Sequence, residues 1–267
     1  SQATLVNTAV LDGQRVSPTA GIVVYYADGR NADATALVTC SGDERVQSDA
    51  GCAIYLSGTE TRGGTGEVVI TEASSGNRIG ALSVKVYFPR LPVPLFALDS
   101  SELQRIEGAN ARDESGVCGG ARYQQTSVYS EAEFAAGTSD FKELDVTHLI
   151  KDRLQADGSD VVELVDGTTV RGLKAGDAIV SVSGAKSASF STLSMKVSDS
   201  TTTVFALEVS VVKSLVMSGV PGNVAADDSS FSASVSVMRK LTKEFETASV
   251  YTEAVFTNGL RYVIGEH

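Results

Sequence analysis

Residues 126–137 read TSVYSEAEFAAG, and residues 248–259 read ASVYTEAVFTNG. Phe134 and Phe256 stand 122 residues apart, and Ser, Val, Tyr, Glu, Ala, Phe and Gly recur in register at that offset. Each segment alternates apolar and polar residues and then runs into a glycine. That pattern predicts a half-buried strand leading into a hairpin turn. A shorter echo at 24–29, VYYADG, sets Tyr26 and Gly29 against Phe134 and Gly137. A second pair, GTETRGGTGEVVI at 58–70 and GTTVRGLKAGDAIV at 167–180, repeats a strand, an Arg-Gly turn and another strand. Repeats of about a hundred residues suit immunoglobulin-sized sandwiches better than solenoid units.

Working outward, the other apolar runs are short, β-branched and alternating: 21–26 (GIVVYY), 67–71 (EVVIT), 82–88 (LSVKVYF), 178–183 (AIVSVS) and 204–212 (VFALEVSVV). Asp28-Gly29, Ser57-Gly58, Asp166-Gly167 and Asn258-Gly259 supply the turn chemistry between them. Helical turns are expected only at 100–106 and 146–154. Three of the five prolines fall in 89–94, PRLPVP, which predicts an extended connection into a second domain, since proline cannot donate to a ladder. Pro221-Gly222 is a weaker break. The expectation is an all-β chain of tandem Ig-like antiparallel β-sandwich domains, two complete and a third partial. The domains expected are 1–88, 89–204 with a Pro-rich entry strand, and an incomplete unit at 205–267.

The 267 residues carry 22 Lys and Arg against 33 Asp and Glu, a net charge of −11. A surface of that sign repels phosphate backbones, so nucleic-acid binding is excluded. His148 and His267 have no zinc-ligand spacing. No run of about 18 apolar residues is present to span a bilayer. No secretory leader is visible, and a chain opening at Ser1 and stopping at His267 reads as a processed product or an excised fragment.

Enzyme signatures are absent: there is no nucleophile elbow, no phosphate loop and no zinc-protease helix motif. The expected catalytic, metal and cofactor assignments are none. RGGTGE at 62–67 reads as a hairpin loop, and Asp43-Glu44 and Asp227-Asp228 as solvated charge rather than a calcium loop. No asparagine stands in a glycosylation sequon. Leu144-Asp145-Val146 matches a tripeptide that some integrins read, but Asp145 is better placed to cap the turn before His148. Cys40 and Cys52 flank a polar loop and are either a bonded pair or two separate buried thiols. Cys118, in a Gly-rich loop, is an interchain or free thiol. The stretch 187–203 contains one Lys, Lys196, and no Glu. Sheet edges normally carry guarding charges, so this stretch is the candidate contact edge, with Ser191 and Ser194 at its centre.

Residues 37–58 (LVTCSGDERVQSDAGCAIYLSG) and 86–108 (VYFPRLPVPLFALDSSELQRIEG), then Cys118, YQQTSV at 123–128, Phe134 and DVTHLI at 145–150, resemble in order and spacing the ectodomain of the transmembrane protein 132 family. The most specific part is aromatic-Pro-Arg-Leu-Pro followed by Asp-Ser-Ser-Glu-Leu and Ile-Glu-Gly. Ala109 stands where that family carries Trp. The segment 171–182 more loosely resembles bacterial Ig-like group 2 domains. The resemblance implies a tandem Ig-like ectodomain of a single-pass membrane protein, at the cell surface, working in adhesion through homophilic or heterophilic protein partners. It also implies an oxidising compartment, and in that setting a Cys40–Cys52 disulfide. The alternative is a subunit of an extracellular filament or surface coat. A carbohydrate-binding module or hydrolase ranks last, because the chain has no Trp to build an aromatic platform.

Overall fold

A computed structural model of the chain describes residues 3–18, 22–25, 28–49, 51–112, 118–212, 214–218, 234–238 and 247–264. The first stretch carries β1 (Ala3–Val6), the single turn α1 (Ala9–Asp12), β2 (Val23–Tyr25), β3 (Asn31–Asp33), β4 (Val38–Ser41), β5 (Gln47–Ser48), β6 (Ile54–Tyr55), β7 (Gly64–Glu72) and β8 (Arg78–Pro89). Next come β9 (Leu95–Ala97), β10 (Glu102–Arg112), β11 (Cys118–Tyr123), β12 (Gln125–Ala135), β13 (Phe141–Asp145), α2 (Thr147–Ile150), β14 (Leu154–Asp157) and β15 (Val162–Leu164). They are followed by β16 (Thr169–Gly172), β17 (Gly176–Val182) and β18 (Leu193–Thr202). The last stretch holds β19 (Val204–Val212), β20 (Ser214–Ser218), β21 (Ser234–Met238), β22 (Ser249–Phe256) and β23 (Arg261–Ile264). The described residues are all-β, with helices reduced to single turns.

Hydrogen bonds order one sheet β15-β16-β12-β8-β7-β4, with β1 on β8 and both β9 and β13 on β12. A second sheet runs β11-β10-β18-β17-β14, and a third β19-β22-β23. Pairing is antiparallel except for β1 on β8 and β10 on β18. Between the first two sheets lies the larger core. It contains Leu103, Val128, Ala132, Phe134, Val170, Val180, Met195 and Val197, and reaches Leu11 at one end and Phe256 and Leu260 at the other. A smaller core of Leu5, Val46, Ile54, Leu56, Val68, Val84 and Val86 lies within the first 90 residues.

The sequence repeat is a repeated hairpin. Gly29, Gly137 and Gly259 sit at φ of 86°, 137° and 87° between β2 and β3, β12 and β13, and β22 and β23. Positive φ is cheap only for glycine. On β12 every second residue from Thr126 to Phe134 is buried, so Val128, Ala132 and Phe134 share the core face as their spacing requires. The matching face of β22 departs from this. Ala254 and Phe256 are buried but Val250 is 63% exposed, because only the C-terminal end of that strand meets the larger core.

Three expectations are corrected. Residues 102–106 are strand, not helix: Leu103 is buried and pairs with Val197, so the ladder to β18 overrides the helix-like spacing of Leu103 and Ile106. Residues 64–67 open β7 opposite 83–86 rather than forming a hairpin loop. The glycines there serve close approach, since a Cβ on Gly63 would lie 2.2 Å from the Ala135 carbonyl oxygen. The proline run is not a free spacer but is anchored in the core at Val93, while Arg90, Leu91 and Pro92 stay exposed. Val93 is fully buried and exchanges backbone hydrogen bonds with Ser189 and Ser191, and β9 pairs with β12 directly after it. At 146–154 only Thr147–Ile150 is helical, and Leu154 already begins β14.

Phe134 is 0% exposed at the centre of the larger core. Phe134→Ala is expected to lower stability by about 3–5 kcal/mol, read as a shift in the urea unfolding midpoint.

Candidate functional site

The three sheet systems meet at two joints. At the first joint, α1 inserts Leu11, 0% exposed, into the larger core. Arg153 ties the layers together. Its Nε donates to the Ser183 carbonyl at 3.2 Å, and its Nη1 to the carbonyls of Leu149 at 3.1 Å and Leu11 at 3.3 Å. Arg153 Nη2 reaches the Ala185 carbonyl at 2.5 Å. Ser189 Oγ donates to the Val10 carbonyl at 2.9 Å, and Lys186 Nζ to the Gly58 carbonyl at 2.8 Å. On the other flank the Tyr87 hydroxyl donates to Asp140 at 2.7 Å, and Lys85 pairs with the same carboxylate. Hydrogen bonds from Lys85 and Tyr87 hold the Asp140 carboxyl below its ordinary range.

Beside that joint sits Glu60, only 5% exposed. Burial pushes its carboxyl up, but hydrogen bonds from the backbone of Ser57, Glu60 and Gly58 and from the Asn7 side chain outweigh that and hold it below the ordinary glutamate value. Five donors from other residues reach it. These are Ser57 N and Gly58 N at 3.0 and 2.9 Å, Ser57 Oγ at 3.2 Å, Asn7 Nδ2 at 3.0 Å and Gln47 Nε2 at 2.9 Å. A carboxylate satisfied this fully is stable as the anion. The backbone of Asn7, whose side chain binds Glu60, donates to the Tyr87 carbonyl at 2.9 Å. Glu60 therefore links the end of β1 to the loop before β7.

The second joint is a cluster of amides. Asn258, in the β22–β23 turn, donates through Nδ2 to Gln104 Oε1 and Gln124 Oε1, both at 3.0 Å, and accepts from Gln124 Nε2 at 3.2 Å. Gln124 is 2% exposed, and its Oε1 also accepts from Gln104 N at 3.0 Å. Thr257 continues the seam with Thr202 Oγ1 at 3.0 Å and the backbone of Thr203. A cleft of about 550 Å³ opens beside it, lined by Leu98, Asp99, Asp166, Glu253, Arg261 and Tyr262 among others. There burial, then repulsion from Glu253, raises the Asp99 carboxyl, with Arg261 opposing.

Cys40 and Cys52 are bonded as a disulfide, with Cα atoms 4.9 Å apart. Cys118 opens β11 across from Arg112. Ser191 and Ser194 are not on an open edge. β18 is paired on both sides, by β10 and β17, with Ser194 opposite Ile179, and Ser191 bonds backbone-to-backbone with Val93. The low charge of 187–203 reflects a strand guarded by neighbours, which needs no charges of its own. Asp145 accepts from Thr147 N at 2.8 Å and so initiates the α2 turn. Asp43 is occupied by the backbone of Arg45, Val46 and Glu67, and Glu44 pairs with Arg45 and Arg62. Among the described residues no group of three or more His, Cys, Asp or Glu could hold a metal ion. Asp227 and Asp228 lie outside the described residues. Glu60, Gln104, Gln124 and Arg153 escaped the sequence reading because an isolated polar residue carries no periodic signal. Asn258 was legible only as a turn former.

Residues 1–91 match the family described as TMEM132 fourth domain. That match covers about a third of the chain and supports a distant relationship to the TMEM132 ectodomain family. Solved structures similar to it include surface layer protein SbsC domains 6–7, at 10% identity over 67% of this chain and 86% of that one, with a TM-score of 0.24. SbsC domains 1–6 match at 11% identity over 94% of this chain and 38% of that one, with a TM-score of 0.28. The full Ig1–Ig3 ectodomain of mouse nectin-like molecule 4 matches at 10% identity over 98% and 95%, with a TM-score of 0.19. Within the TMEM132-matching region lie the disulfide, Glu60 and all of α1. Among the described residues no helix is long and apolar enough to cross a membrane.

A carboxyl held below its unfolded value contributes stability above that value and loses it as pH falls through the folded one. Glu60→Gln is therefore expected to lower the melting temperature at pH 7. The gap from the parent should narrow as pH drops through the carboxylate range, in paired thermal melts.

Proposed function

We propose that this chain is a non-enzymatic spacer and contact segment of a cell-surface protein, acting extracellularly through protein–protein contact. The match of residues 1–91 to the TMEM132 fourth domain and the Cys40–Cys52 disulfide support an extracellular setting. The units we propose are 1–88, 89–204 and the beginning of a third at 205–267. Attachment to a membrane by a single span outside this sequence belongs to the same proposal.

The observation that carries the reading is the build of the joints. Loosely tethered domains meet through small polar surfaces, and relative motion is then the default. Here one core passes through both joints, with Leu11 at one end and Phe256 and Leu260 at the other. Arg153 and Asn258 satisfy backbone and amide groups across the two seams. Such joints hold the sheets at set angles, which suits a rod that spaces and presents surfaces. Partners of a chain with net charge −11 are proteins rather than nucleic acids.

Arg153→Ala and Asn258→Ala each remove one clasp. Small-angle X-ray scattering is expected to show a rigid parent and broadened distance distributions in the variants, each retaining its cooperative melt. A parent as flexible as the variants, or measurable turnover of a substrate, would defeat this reading.

A further inference from the structure

Among the described residues strand β13 pairs only with β12, and all five of its residues are exposed. Its ladder orientation follows from two bonds: Val146 N donates to the Ser130 carbonyl at 2.9 Å, and Ala136 N to the Asp140 carbonyl at 2.8 Å. Even-numbered residues between them therefore bond to β12. The main-chain N–H and C=O of Phe141, Glu143 and Asp145 point away from it, to an open edge. Arg90 N donates to the Glu133 carbonyl at 2.8 Å on the far side of β12, which agrees with that alternation.

The same register sets Glu133 directly opposite Glu143, and Glu131 directly opposite Asp145. Both are non-hydrogen-bonded pairs, where side chains are closest, and like charges directly opposed destabilise a sheet. Elsewhere this chain solves the same problem internally: Glu208 opposes Glu253, and Arg261 Nη1 donates to both, at 2.8 and 3.1 Å. On β12–β13 only Glu133 has an ion pair, with Arg90, which is 75% exposed. Among the described residues Glu131, Glu143 and Asp145 have none. Phe96 stacked on Tyr129, and Phe141 opposite Ala135, bracket this acidic face at its two ends.

We infer that the open edge of β13 receives an extended segment of a partner protein, added as the next strand, with basic side chains at alternate positions. Main-chain bonds to Phe141, Glu143 and Asp145 supply the pairing, and Lys or Arg beside Glu143 and Asp145 supply the missing cations. A second copy of this chain is a poor occupant, because antiparallel self-pairing about Glu143 sets that carboxylate against itself. The inference deepens the protein-contact reading by naming its surface, and it can fail while the stiff-rod behaviour stands.

The probe is an acetylated, amidated peptide alternating Lys with Val and Thr, titrated into the whole ¹⁵N-labelled chain, with a Glu-for-Lys peptide as control. Shifts are expected first at the amides of Phe141, Glu143 and Asp145, weakening with added salt. Glu143→Lys with Asp145→Lys should cut affinity by about tenfold or more in a chain that still melts cooperatively. Glu143→Pro, which removes an outward N–H and spares the β12 ladder, should weaken binding more than Glu143→Gln. Shifts confined to other edges, no shifts at all, equal binding of the Glu peptide, or unchanged affinity in the double variant would overturn the inference.

Discussion

Strand β12 is occupied on both edges and one face, and the arrangement of the other elements follows from it. β16 and β13 bond along one side and β9 and β8 along the other, while its alternate residues down to Phe134 fill the larger core. A strand shared this widely cannot slip by one residue, because a slip would turn Val128, Ala132 and Phe134 to solvent and Glu131 and Glu133 inward. Its register thus fixes the edge geometry of β13 and the pairing of β8 at Phe88 and Pro89.

That shared strand also explains why Pro89 and Val93 are buried within the proline run. Once β8 ends against Ala135 and β9 begins against Ser130, the few residues between must cross the mouth of the sandwich. Val93 fills the gap there, held by backbone bonds to Ser189 and Ser191. Proline suits the crossing because the chain needs few ladder donors over that span. What composition suggests is a linker is a crossover anchored at Val93.

Both seams use polar groups most of which are partnered, the condition for burying them at low cost, with Asn7 Oδ1 beside Glu60 an exception. Glu60 has five donors, and Gln124 and Asn258 bond each other in both directions. The acidic face of β12–β13 is the contrast: its carboxylates are exposed, opposed and largely without cations. Satisfied buried groups hold a structure together, whereas unsatisfied exposed ones are available to a partner.

Alternation over 126–137 and 248–259 by itself determined the strands, the glycine turns and the buried face of β12, because strand periodicity and positive φ are local properties written residue by residue. The family resemblance, rather than the cysteine spacing, carried the Cys40–Cys52 disulfide. Which strand lies beside which was not legible, because pairing joins residues far apart in the chain. So 187–203, sparse in charge, read as an open edge although β10 and β17 cover it, and 141–145, studded with charge, is the edge left open. The helix-like spacing of Leu103 and Ile106 was likewise overruled by a ladder to a strand over ninety residues away. Arg153, Glu60 and Asn258 acquire their roles only from carbonyls and amides that distant segments deliver, a convergence that depends on tertiary packing and leaves no mark on local sequence.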